Sequence, residues 1–204
     1  MAIHVHSGDL PAGLSFGPSV AVDSETTGLS LVRDGLCVIQ LSAGDGDAHL
    51  VQLDRSEYAC PNLKALLADP SVLKIFHFAR FDVAMIQRWL GVACAPIYCT
   101  KIASKLVRTY TDRHGLKDLS RELLGVDMSK QQQSSDWAAD TLSEAQQVYA
   151  AADVLHLHAL KAGLDVMLAR EGRVALAQAC FDFLPTRAAL DIAGWSEIDI
   201  FAHT

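Results

Sequence analysis

Residues 20–29 read Val-Ala-Val-Asp-Ser-Glu-Thr-Thr-Gly-Leu. The apolar start predicts a buried strand, and the turn-prone Thr27-Gly28 pair predicts where that strand ends. Asp23 and Glu25 then sit at the strand's end and, being two apart, point to the same face. Two carboxylates held side by side repel, so the pair is costly in a buried setting unless a cation sits between them. Hard divalent cations take oxygen ligands of this kind. On a solvated strand end the same pair needs no cation, so its meaning depends on what the rest of the chain brings to it.

Two more strands follow, Leu36–Ser42 and the AHLVQL run at 48–53, with Gly44-Asp45-Gly46-Asp47 as the hairpin turn. Next come a proline-started helix, Pro61–Ala68, a buried strand at 72–76 and an apolar helix from about 81 to 90 that Gly91 ends. From Thr100 onward the pattern is mainly helical, with segments near 100–109 and 115–124 and a polar QQQSS loop at 131–135. One long helix from about 143 to 170 comes last, capped by Ser143 or by Thr141 with Glu144. Strands first and helices after, around one mixed sheet, predict an α/β three-layer domain.

The chain has 204 residues, half of them hydrophobic and 20% charged, which excludes a disordered protein and suits one sizeable core. No linker or internal repeat divides it, so a single domain over 1–204 is expected. No apolar stretch approaches the roughly 18 to 20 uncharged residues of a membrane span, and the opening MAIHVHSGDL lacks the marks of a secretion signal. A soluble, cytoplasmic protein is expected. The five cysteines are odd in number and form no C-x-x-C pair, which predicts reduced thiols rather than disulfides or a zinc site.

A net charge of −7 argues against gripping long nucleic acid through many phosphates. The charge is uneven, however. Between Lys101 and Arg121 six Lys or Arg face two acids, so any anionic ligand should be small or held locally. The last stretch, 181–204, carries Phe181, Phe183, Leu184, Leu190, Ile192, Trp195, Ile198, Ile200 and Phe201. These are too many apolar residues for a frayed terminus, so the segment is expected to pack on its own domain or on a partner subunit.

Two further acids stand out. Asp82 follows His77-Phe78-Ala79-Arg80-Phe81 and suits a helix N-cap. Asp153 lies in an apolar helix four residues after Tyr149, which puts the two on one face. An acid among Ala and Val has no cheap structural reason to be there, although a Tyr–Asp pair could seal one helix to a neighbour.

Taken in order, D-x-E-T-T-G-L, H-x-x-x-F-D and Y-x-x-x-D resemble the three motifs of the DEDDy branch of the RNase D-like 3'-5' exonucleases. The resemblance implies an RNase H-like three-layer fold, a central mixed sheet flanked by helices. It implies that Asp23, Glu25, Asp82 and Asp153 hold two Mg2+ or Mn2+ ions and that Tyr149 positions the attacking water. Two metals about 4 Å apart stabilise both the nucleophilic and the leaving oxygen at phosphorus. The product would be a nucleoside 5'-monophosphate.

The stretches CTKIASKL, RTYTDRHGLK, SKQQQSSDWAA and GWSEIDIFAH are similar to the nano-RNase C family of α-proteobacteria over essentially the whole chain. That family degrades very short RNA, dinucleotides above all, including the linear dinucleotide left when cyclic di-GMP is opened, and forms octamers. The resemblance therefore implies a homo-octamer acting on 5'-phosphorylated dinucleotides such as pGpG. Thr27 stands where many general DEDD exonucleases also have threonine, which weakens any argument that its neighbours alone impose a dinucleotide preference.

A dinucleotide enzyme needs a group that binds the 5' phosphate and closes the site one nucleotide upstream of the scissile bond. Candidates are Tyr110, Arg113 and His114, with Ser134 or Gln132, some of them acting from a neighbouring subunit. Arg113 and Lys117 would equally suit a solvated helix face. Leu29 is either a wedge between two bases or a core leucine under the turn. His77 and Phe78 read as buried strand residues, His156 and His158 as surface or packing histidines, and Asp136-Trp137 as structural. The competing readings are a general 3'-5' exonuclease on longer RNA or on DNA, and an inert nucleotide-binding module.

Overall fold

A computed structural model of the chain describes residues 1–129, 131–132 and 134–203. The apolar run at 20–22 forms the middle of β2 (Ser19–Thr26), with β1 at Ile3–Ser7, β3 at Leu36–Ser42, β4 at Ala48–Gln52, β5 at Leu73–Phe76 and β6 at Ile97–Cys99. They form one six-stranded sheet in the order β1-β4-β3-β2-β5-β6. The β2–β3–β4 meander is antiparallel, while β1 joins β4, β5 joins β2 and β6 joins β5 in parallel. The mixed sheet with helices around it is the RNase H-like architecture that the resemblance implied.

The helices are α1 (Pro61–Ala68), α2 (Ala79–Leu90), α3 (Thr100–Val107), α4 (Leu116–Leu124), α5 (Glu144–Leu155), α6 (Leu157–Arg170) and α7 (Val174–Leu190). Strand alternation divides the core. Val38 and Leu50 point to the layer of Trp137, Leu142 and Ala150, the last on α5. Ile39, Leu41, Val51 and Leu53 join a larger cluster with Leu63 and Leu67 of α1 and Met85 and Ile86 of α2. Asp23 pairs with Gln40 and Glu25 with Val38 across the β2–β3 ladder, so both acids face the α5 side.

Three parts of the fold depart from the sequence pattern. The long helix expected over 143–170 breaks at His156 (φ −102°, ψ −6°). Here α5 covers β2, β3 and β4 whereas α6 turns to α3 and β5. One straight helix cannot follow both surfaces of a twisted sheet. The cap is Ser143 in a reciprocal box with Gln146, not with Glu144. Helix α2 opens at Ala79, two residues earlier than expected, from a left-handed Phe78 (φ 67°).

Beyond these, β1, β6 and α7 had no clear sequence signal. β1 completes its edge of the sheet by stacking His4 and His6 on His49, with ring centroids 4.8 and 5.3 Å apart. Helix α7 carries Pro185 in its interior, a residue that normally disfavours a helix. The segment 181–204 divides: Phe181, Leu184 and Ala188 are core residues, while Trp195, Ile198, Ile200 and Phe201 are exposed. The hinge between the two halves is Asp191, gripped by Arg80 (2.6 and 2.8 Å) and Arg187 (2.5 and 3.1 Å). No helix among the described residues is long and apolar enough to cross a membrane.

Candidate active site

Strand β2 and helix α5 bring three of the acids together. Carboxylate oxygens of Asp23, Glu25 and Asp153 all lie within 4.8 Å of one another. Asp82 approaches from α2 and is nearly inaccessible, its Oδ1 accepting a 2.5 Å hydrogen bond from Ser24 Oγ. It is therefore not the N-cap that its sequence position suggested; it lies within the first turn of a helix whose N-cap position is Phe78. All four acids and Tyr149 line one cavity of about 680 Å³.

The acids are electrostatically frustrated. Burial, reinforced by the surrounding carboxylates, pushes Glu25 up to about 9 and Asp23 well above its ordinary value. Burial likewise pushes Asp82 and Asp153 up to about 7, although hydrogen bonds from Ser24 and Tyr149 oppose the rise. None of the four forms an ion pair among the described residues. Burial and the same carboxylates also raise the Tyr149 phenol well above its usual value, so it stays an O–H donor. Four clustered oxygen donors without a balancing cation fit hard divalent metal ions.

The turn after β2 shapes the cavity's rim. The strand register shifts between Glu25 and Thr26, and Thr27 N–H donates to the Gly35 carbonyl (3.0 Å). A Cβ on Gly28 would meet the Asp34 carboxylate at 2.3 Å, so any side chain here would force the turn or the carboxylate to shift. The turn lifts Leu29 to 85% exposure beside the acids, which excludes the core-leucine alternative. Phe78 is also exposed on the cavity wall, with the Lys101 ammonium 4.0 Å from its ring centroid.

His77 lines the cavity as well, its Nδ1 2.9 Å from Thr100 Oγ1. Burial and the nearby Lys101 drop its pKa to about 3, so the ring is neutral.

The remaining candidates divide. Ser134 lines this cavity with Leu29. Gln132 lines an adjoining cavity of about 600 Å³ that shares Met128, Ser129 and Tyr149 with the first. Gln133 of the QQQSS loop lies outside the described residues. Tyr110, Arg113 and His114 sit in the α3–α4 connection and are not among the lining residues, although α4 begins at the wall with Gly115, Leu116 and Lys117. Tyr110 donates its hydroxyl to Glu122 (2.5 Å), and His114 Nδ1 lies 2.9 Å from Ser104 Oγ.

Of the other histidines, His156 borders the second cavity and His158 pairs with Ser19 (3.1 Å).

Sequence reasoning missed Phe78, Lys101 and Trp137 as cavity residues. Only Lys101 had a signal, its place in the basic stretch. Trp137, read as structural, is buried with its ring centroid 6.0 Å from that of Tyr149, so it both packs and lines the site.

Residues 9–169 match the family model described as a 3'-5' exonuclease. Ribonuclease D of Acidiphilium cryptum is 36% identical over 161 residues, 79% of this chain and 41% of that protein. The chain thus spans about 40% of the length of the curated relatives it matches. Among solved structures, Brucella melitensis NrnC bound to pGG is 55% identical with a TM-score of 0.97, covering 100% of both chains. NrnC from the same organism with bound Mg2+ is 54% identical, with a TM-score of 0.96 and the same coverage. Escherichia coli RNase D, described as an exoribonuclease in structured RNA processing, is 28% identical with a TM-score of 0.72 over 84% of this chain and 45% of its own.

Proposed function

Since the chain belongs to the 3'-5' exonuclease family, in its RNase D-like branch, we propose that it is a metal-dependent 3'-5' exoribonuclease of short oligoribonucleotides. Its preferred substrates are 5'-phosphorylated dinucleotides such as pGpG, cleaved to nucleoside 5'-monophosphates. The carrying observation is the convergence of Asp23, Glu25 and Asp153, with Asp82 beside them, in one cavity. The NrnC structures with pGG and with Mg2+, matched end to end, support the substrate class and the metal.

In this reading Asp23, Glu25, Asp82 and Asp153 hold two Mg2+ or Mn2+ ions. When bound, the ions lower the pKa of water and stabilise charge on the attacking and leaving oxygens. Tyr149, kept protonated by burial and by its acidic surroundings, orients the attacking water through its phenol. Phe78 offers a ring on which a base stacks without sequence preference, and Leu29 offers an apolar wedge between two bases. Tyr110, Arg113 and His114, with Ser134 or Gln132, bind the 5' phosphate, the first three from a neighbouring subunit of a homo-octamer.

The exposed end of the 181–204 segment, Ile198 to Phe201, is the proposed contact within that assembly. A cytoplasmic location belongs to the same proposal: five free cysteines, four of them buried, suit a reducing compartment.

One observation favours a second reading on DNA. DNA polymerase I of Aquifex aeolicus is 32% identical over 147 residues, and the two-metal site needs no 2'-hydroxyl. The deciding experiment measures nucleotide release from 5'-phosphorylated RNAs of two, three, five and seven residues in Mg2+, beside the corresponding DNAs. A steep preference for the ribodinucleotide is expected. Equal or rising rates with length would replace this reading with a general exonuclease.

A further inference from the structure

Arg108 is the largest fully buried side chain among the described residues, and no step proposed above uses it. It stands at the C-terminal end of α3, its backbone N–H closing the helix on the Ser104 carbonyl (2.8 Å). From there its guanidinium reaches into the α3–α4 connection. Nη1 donates to Ser104 Oγ (2.9 Å) and to the Arg113 carbonyl (2.7 Å). Nε donates to Glu122 Oε1 (3.2 Å) and Nη2 to Glu122 Oε2, so α4 is held by a two-pronged pair.

Each of these acceptors leads to one of the three phosphate-binding candidates. Glu122 also accepts the Tyr110 hydroxyl, and the Tyr110 ring centroid lies 5.9 Å from the Arg108 guanidinium carbon. Ser104 Oγ also meets His114 Nδ1. Arg113 is held through its own backbone oxygen. A single guanidinium therefore has a hydrogen-bond partner on the path to Tyr110, to Arg113 and to His114. Five donors in a planar fork are what such a junction needs; an ammonium can offer three but cannot span the carboxylate and the two opposite acceptors at once.

We propose that Arg108 is the positioning residue of the 109–114 segment, fixing Tyr110, Arg113 and His114 in the arrangement that reads the 5' phosphate. This rests on the assignment of those three residues to phosphate binding. Arg108 itself touches no substrate. It sets the selectivity for a phosphorylated end without contributing to bond cleavage.

The test compares kcat/KM for pGpG and for GpG lacking the 5' phosphate, in wild-type protein, Arg108→Lys, Glu122→Gln, Arg113→Ala and His114→Ala. Thermal melting and light scattering are run on each variant. For Arg108→Lys and Glu122→Gln the ratio of the two substrates should fall about tenfold, the worth of a charge-assisted hydrogen bond. Hydrolysis of GpG should stay within about twofold of wild type, and the pGpG loss should appear in KM rather than kcat. A structural role alone would lower both substrates together, and that result overturns the proposal. If Arg113→Ala and His114→Ala collapse the ratio while Arg108→Lys and Glu122→Gln preserve it, the positioning role falls and the phosphate assignment stands. If Arg113→Ala and His114→Ala leave the ratio unchanged, both fall. Should Arg108→Lys not fold, Glu122→Gln, which leaves the arginine in place, carries the same outcomes.

Discussion

The acid-bearing wall of the cavity and the α3–α4 connection beside it are built on opposite electrostatic terms. On the first, the half-buried Asp23, Glu25 and Asp153 of β2 and α5 and the buried Asp82 of α2 crowd with no cationic side chain paired to them among the described residues, and all four are displaced toward their neutral forms. In the α3–α4 connection, whose Tyr110, Arg113 and His114 do not line the cavity, Arg108 is answered by Glu122, and Tyr110 and His114 already have partners. The acid wall stores free energy that a bound cation would release. The connection has little to gain locally and is organised in advance for whatever its exposed side chains meet. Substitution should therefore separate chemistry and metal affinity in the first from recognition in the second.

The sharpest break is Asp153→Asn. Removing one of three converging carboxylates should lower kcat about a thousandfold or more. The same change should stabilise the metal-free protein, because a neutral amide relieves the crowding. A rise in Tm of about 5 °C is expected in EDTA by calorimetry, since a kcal/mol is worth about 2–4 °C in a domain of this size. A variant that lost both activity and stability would show that Asp153 serves structure, and that the wall is not frustrated.

The pH dependence sharpens the contrast and its sign is fixed by the direction of the shifts. In the folded, metal-free state Asp82 and Asp153 titrate near 7 and Glu25 near 9, against ordinary values of 3.8 and 4.5. The stability associated with these groups is fully present below about pH 4. It is lost progressively as pH rises through 7 and then 9, because the unfolded chain releases protons that the folded chain retains. Divalent ions compete with those same protons, so Mg2+ or Mn2+ affinity should increase from pH 6 to 9. Calorimetric titration at several pH values checks this. Affinity independent of pH would mean that the four acids are already ionised.

A smaller effect is expected where the cavity meets the bases. Leu29→Ala and Phe78→Ala should each raise KM about tenfold while leaving kcat nearly intact, consistent with the worth of one stacking contact. Initial-rate measurements on pGpG separate the two constants. A fall in kcat at unchanged KM would place these residues in the chemistry instead.

The parts of the site differ in how far they could be read from sequence. Asp23 and Glu25 were legible because strand alternation is a local rule, and the order of Asp82, Tyr149 and Asp153 was legible through a resemblance. The cap alternative for Asp82 failed because nothing local announces the left-handed Phe78 that starts α2 early. Phe78 and Trp137 were missed for a related reason: their presence at the cavity follows from elements distant in sequence. The break at His156 was hidden because apolar spacing continues across it, while the sheet surface beneath changes direction. Strand β6, three residues long, is too short to carry a pattern at all.

The least expected loss concerns Gly28, where the recognition side is joined to the acid strand. Its α-carbon passes so close to Asp34 that an added Cβ would stand 2.3 Å from the carboxylate. That carboxylate has little freedom to retreat, because it accepts from Ser30 N–H (2.8 Å) and from the Arg33 guanidinium (2.8 and 3.1 Å). Gly28→Ala should therefore push the turn outward and carry Leu29 with it, while β2 below the bulge keeps Asp23 and Glu25 in register. Steady-state kinetics should show KM for pGpG rising about threefold with kcat unchanged, a displacement cost below 1 kcal/mol. Loss of metal affinity in the same variant would show that the turn and the acid strand move as one body, and would erase the division between the wall that reacts and the rim that recognises.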